Sequence, residues 1–160
     1  MSQPMRRRDR AVTDPQKIDA IIQSCDCCRV AFATDDAPYI VPLNFGFAWE
    51  QGKRVFYFHG AAQGRKIDLL RESPVVGFEL DTDHRLNVGD TGCQYSYRFQ
   101  SVIGTGRAAL VEDEAQKRQA LCLLLAQYTG QTDWAFPDAM LDRTAVWRME
   151  VLTLSCKEHP

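Results

Sequence analysis

The chain has 160 residues, 45% of them hydrophobic and 25% charged, with a formal net charge of -2. That length fits one domain around one core, and the charge gives no general pull toward nucleic acid. No stretch approaches the roughly 18 consecutive apolar residues of a membrane-spanning helix, and no apolar signal core follows the basic N-terminus, so a cytoplasmic protein with no membrane or nucleic-acid partner is expected.

In chain order, residues 1–13 read as an arm carrying Arg6, Arg7, Arg8 and Arg10. Such an arm is solvated, lies across a neighbouring subunit or touches an anionic ligand. A helix follows: Asp14 can cap it, Pro15 suits its first position, and Ile18, Ile21, Ile22 and Cys25 fall on one stripe. Cys25 and Cys28 have the C-x-x-C spacing, yet Cys93, Cys122 and Cys156 stand singly and His59, His84 and His159 form no H-x-x-x-H pair. The spacing follows a helix rather than opening one, so free thiols and no metal site are expected.

Alternating segments at 29–34, 39–47 and 54–58, separated by turn residues at 35–36 and 50–52, predict two successive hairpins. Pro42 lacks a ladder N–H, which favours an edge, a bulge or a place where the ladder opens. The strand at 55–58 runs into His59, Gly60 and a helix beginning near Gln63, whose opening carries Arg65 and Lys66. Unpartnered N–H groups, the positive end of the helix dipole and two adjacent cations suit a phosphate; the same residues would also serve as an ordinary connection with two solvated charges. The helix should stop at residues 72–73, because Pro74 disfavours helical geometry before it.

A strand is predicted at 75–80, then one very long strand or a bent pair over 95–111, where Gly104 and Gly106 permit a barrel corner. No strand-to-helix turn follows this Gly-x-Gly, so it is no dinucleotide fingerprint. Glu112, Asp113 and Glu114 open a helix with Leu121, Leu124, Leu125 and Tyr128 on one face and Gly130 past its end. The segment 144–154 closes the chain as a strand. These elements predict a mainly β (α+β) fold: one domain over 1–160, a small barrel of antiparallel strands with peripheral helices, prone to pair through an exposed face.

Three motifs, in this order, carry a family resemblance: Val41-Pro42-Leu43-Asn44-Phe45-Gly46-Phe47, the strand-loop-helix from Val55 to Leu70, and Ser101-Val102-Ile103-Gly104-Thr105-Gly106-Arg107-Ala108. The chain resembles the FMN-binding split-barrel superfamily that includes pyridoxamine 5'-phosphate oxidase, and within it the nitroimidazole-resistance (Nim-type) branch. The resemblance implies a split β-barrel and a homodimer with FMN at the interface. Arg65 and Lys66 would grip the FMN phosphate, with Gly64 where the oxidases usually have a serine; a dianion is well held by a bidentate Arg beside a Lys. Val41, Pro42, Leu43 and Asn44 would line the isoalloxazine through backbone contacts, Phe58, His59 and Gly60 would sit beside the ribityl chain and ring, and Ser101 would reach the flavin from the partner. Residues 154–160 lack the arginine- and histidine-bearing tail with which those oxidases clasp their vitamin, so vitamin B6 synthesis is not expected.

The resemblance thus implies a flavin-dependent reductase passing electrons to a small-molecule acceptor such as a nitroaromatic compound, with His59 as the catalytic proton donor. The alternative role for His59 is a structural bond to a backbone carbonyl. Tyr57, Tyr95 and Tyr97 offer further donors or serve as packing. A flavin carrier, sensor or detoxifying sink without turnover is the alternative function, and haem or a deazaflavin the alternative ligand.

Overall fold

The computed structural model describes residues 5–160; the first four residues of the expected arm lie outside them. The rest of the arm docks on the chain itself. A 3-10 turn at Arg8–Arg10 leads into β1 (Ala11–Val12), which pairs with the last strand, and the Arg10 guanidinium lies 3.4 Å from His159 Nε2. The solvated part is therefore shorter than the sequence suggests.

Helix α1 (Pro15–Ser24) begins as its residues dictate: the Gln16 N–H donates to Asp14 Oδ1 at 3.1 Å, Pro15 leads, and Ile18, Ile21, Ile22 and Cys25 are buried. Strands β2 (Cys28–Phe32) and β3 (Tyr39–Leu43) form the first hairpin, and β4 (Gly46–Glu50) and β5 (Lys53–Ala61) the second. After α2 (Arg65–Glu72) come β6 (Val75–Asn87), β7 (Ser96–Leu110), α3 (Glu114–Thr129), the short α4 (Asp138–Leu141) and β8 (Thr144–His159).

Both expected hairpins are present, but the expected strand over 39–47 divides at Asn44 and Phe45. The division sets the architecture. All pairings are antiparallel, in the order β3-β2-β6-β7-β8-β5-β4, with β1 beside β8. The two outermost strands, β3 and β4, are thus joined by only two residues, a link that spans on the order of 10 Å at most. A sheet whose edges are tied so closely must curl into a barrel, and because β3 and β4 do not pair, the barrel stays split along that seam. Pro42 sits on edge strand β3 opposite Arg29 of β2, the kind of position where a missing N–H is tolerated.

The barrel interior holds Phe32, Phe56, Phe58, Phe78, Leu80, Val102, Trp147 and Met149. Trp147 stacks on Phe58 with ring centroids 4.1 Å apart, and its Nε1 finds no hydrogen-bond partner among the described residues. Strand β7 is one continuous strand, with a register shift against β8 between Thr105 and Gly106, beside the expected corner. Helix α3 lies against β4 so closely that a Cβ on Gly46 would stand 2.7 Å from the Leu124 backbone nitrogen.

Candidate functional site

The last residues of β5 and the first of α2 meet at one end of the barrel. Gly64 occupies the helix N-cap with φ 130 and ψ 166, and no side chain caps the helix. The leading N–H groups therefore face outward without a side-chain acceptor, in the arrangement that favours an anion. Arg65 and Lys66 then diverge. The Arg65 guanidinium carbon lies 4.6 Å over the Tyr39 ring of β3, a cation–π contact that holds the side chain without neutralising it. Lys66 folds back over β5, where a Cβ on Gly60 would stand 2.6 Å from its Nζ. Gly60 thus leaves the space that the ammonium fills.

Neither cation is paired with a carboxylate among the described residues, although other arginines and lysines are. Two uncommitted charges, one oriented by an aromatic ring and one seated over a glycine, fit a phosphate dianion. Beside Arg65 a hollow of about 340 Å³ is lined by Thr34, Ser73 and the carboxylates Asp35 and Glu72.

His59 precedes Gly60 on the opposite face of β5. Its imidazole makes no hydrogen bond among the described residues, so the backbone-carbonyl role is not realised. The residue is exposed, yet its pKa is lowered from 6.5, first by desolvation and second by the Lys66 charge. The two facts are compatible because one side of the ring faces solvent while the other adjoins Leu121, Leu124 and Phe136. A neutral imidazole near neutral pH follows.

On β3, Val41 and Leu43 are half-buried against the core, while Pro42 and Asn44 are exposed along the seam. The Asn44 amide nitrogen lies 3.5 Å from the Asp26 carbonyl oxygen. The Phe58 side chain is committed to the core against Trp147, which leaves only its backbone for a ligand. Ser101 stands apart. It pairs with Lys157 on β8, whereas Phe58 pairs with Trp147 on the same strand. Those positions are ten residues apart, on the order of 33 Å along an extended strand. One protomer therefore brings together Gly60, Gly64, Arg65, Lys66 and His59 but not Ser101.

Tyr39 escapes sequence reasoning: it is one alternating strand residue among many, and only the fold carries α2 onto its ring. Tyr57 is not free to serve as a donor. Its hydroxyl bonds Glu50, which Arg148 also engages at 3.0 Å, and burial with that carboxylate raises its pKa to about 12. Tyr95 and Tyr97 are exposed. All six cysteines are unpaired, and burial raises Cys25 to about 12 and Cys156 to about 11. Among the described residues no cluster of three His, Cys, Asp or Glu could hold a metal, and no helix is long and apolar enough to cross a membrane.

A curled antiparallel sheet split at β3/β4, with a basic helix start at its rim, defines a split-barrel protein. The chain belongs to the pyridoxamine 5'-phosphate oxidase family, whose model matches residues 14–158. It is similar to a candidate 5-nitroimidazole antibiotic resistance protein from Bacteroides thetaiotaomicron, at 29% identity and a TM-score of 0.80 over 92% of this chain and 86% of that one. The flavocytochrome Anf3 from Azotobacter vinelandii shares the fold at 22% identity and a TM-score of 0.79, over 98% of this chain and 72% of that one. An uncharacterized protein from Rhizobium meliloti is 30% identical over 69 residues, so the match spans 43% of this chain and less than half, 42%, of that curated relative.

Proposed function

We propose that the protein binds FMN by its phosphate at Arg65 and Lys66, with Val41, Pro42, Leu43 and Asn44 along the isoalloxazine and Ser101 supplied by a second copy, and that it acts as a reductase of small electrophiles such as nitroaromatic compounds. The observation that carries this reading is the pair of unneutralised cations at an uncapped helix start, one over Gly60 and one over Tyr39. Family membership and the likeness to a candidate nitroimidazole resistance protein support it.

Bound there, FMN would supply the electron transfer. The residues supply position and a proton. Helix N–H groups and the two cations fix the phosphate, and β3 presents an edge that lacks a second strand partner. The imidazole of His59, unpartnered and held neutral near pH 7, can take up a proton from solvent and pass it to an acceptor.

The test is FMN titration by flavin fluorescence quenching. Each charge-assisted contact is worth about 1.5–3 kcal/mol, so Arg65→Ala with Lys66→Ala should lower affinity by several kcal/mol. Unchanged affinity would overturn the phosphate assignment. Turnover with a reduced nicotinamide and a nitroaromatic acceptor then separates a reductase from a flavin carrier.

A further inference from the structure

A cavity of about 180 Å³ lies between α3, α4 and the facing ends of β5 and β8, walled by Leu121, Leu124, Phe136 and Met140. Its polar side chains are His59 and Thr144, and the Thr144 hydroxyl is already committed, donating to the Met140 carbonyl oxygen at 2.8 Å. No acidic or basic residue other than His59 lines it. An ionic solute entering would shed water and meet no counter-charge, which disfavours it. An uncharged apolar solute would lose only unfavourable hydration.

Size narrows the class. An apolar cavity of roughly 150 Å³ takes up one benzene, so this one suits a single ring with small substituents. The walls are firm on one side, where Leu121 and Leu124 are buried, and adaptable on the other, where Met140 is 59% exposed and stands where the cavity meets solvent. His59 alone offers a polar edge, with no protein partner among the described residues to compete for it.

We propose that this cavity binds an uncharged, one-ring hydrophobic molecule, with the His59 imidazole as its one polar contact. Because His59 is also the proposed proton donor, the role of this cavity as the place of the small acceptor rests on the proposed function, whereas binding itself does not require the phosphate contacts. The cavity lies on the face of β5 opposite the Gly60–Lys66 contact, and its recognition is hydrophobic rather than ionic.

The experiment is an NMR titration of the full-length protein with toluene, following the imidazole resonances of His59 assigned through His59→Gln, with benzoate as the charged counterpart of similar shape. Toluene should shift the His59 signals saturably and benzoate should leave them in place. Leu124→Trp fills the cavity and should weaken toluene binding about tenfold. Because Leu124 is buried, Met140→Trp provides a second variant at an exposed position that narrows the opening, and it should weaken binding in the same direction. Melting curves establish that each variant is folded. No saturable shift, equal response to benzoate, or unchanged toluene affinity in a folded variant would overturn the proposal. FMN titrated into the same samples reads the other assignment separately: toluene binding without FMN binding would remove the flavin site and leave this one standing.

Discussion

Two residues decide whether the basic turn is a clamp or a pair of solvated charges, and neither is a cation. Tyr39 orients Arg65 by its ring face, and Gly60 leaves the volume that Lys66 occupies. Tyr39→Leu keeps a half-buried apolar side chain and removes the π face, so it should weaken FMN binding by about 0.5–2 kcal/mol, measured by flavin titration, with little change in melting temperature. Lys66 also acts on His59. Desolvation and the ammonium both lower the His59 pKa, desolvation the more, so Lys66→Ala should move it part of the way back toward 6.5 in an NMR titration. The sign for stability follows from linkage. A folded-state pKa below the unfolded one means that the unfolded chain binds more protons in the interval between them, so His59's contribution is complete above about pH 6.5 and is lost as pH falls through the folded value. The two charges were legible in the sequence because Arg65 and Lys66 sit at a helix start. Tyr39 was not, because nothing local distinguishes a residue whose partner comes from 26 positions away.

The link between β5 and α2 positions Arg65 and Lys66, and its backbone favours glycine at position 64. At φ 130, Gly64 has open space around it but a backbone conformation that L side chains rarely adopt. Gly64→Ser should therefore cost about 1–3 kcal/mol in strain, seen as a lower melting temperature, and should not tighten FMN despite the added hydroxyl. Helix and strand boundaries elsewhere followed local chemistry where that chemistry was strong, as with Asp14 and Pro15 at α1 or Asp113 and Gly130 around α3. They departed from it where tertiary partners intervened. In 39–47 Pro42 marked a weak point but not the place of the break, which falls at Asn44 and Phe45, where Phe45 is buried and its N–H donates to the Tyr128 hydroxyl of α3. Conversely, the polar end of β6 and the polar residues after Leu154 in β8 extend as strand because β7 pairs with both.

In the molecule as a whole, the residues proposed to hold the flavin fall at two places of one protomer, too far apart to combine. The clamp lies where β5 meets α2, while Ser101 lies on β7 on the order of 33 Å along the sheet. Around Ser101 the outer face of the β2-β6-β7-β8 sheet carries Thr105, Ser155 and the 54% exposed Ile103, with Leu152 exposed nearby. A second copy laid against this face would cover its apolar surface and carry Ser101 to the clamp of its partner. Mixed dimers test that arrangement. One variant, Arg65→Ala with Lys66→Ala, loses the clamp and keeps Ser101; the other, Ser101→Arg, keeps the clamp and puts a bulky charge where the partner's flavin would lie. Each homodimer should bind no FMN. In the mixed dimer one site combines both defects and the other combines neither, so refolding the two variants together should restore FMN binding at one site in two, measured as flavin stoichiometry on affinity-tagged heterodimers. Restoration from two flavin-free homodimers can arise only if each site draws residues from two chains; its absence, with both variants folded and dimeric, would confine the flavin site to a single protomer, and FMN binding by the Ser101→Arg homodimer would remove Ser101 from it.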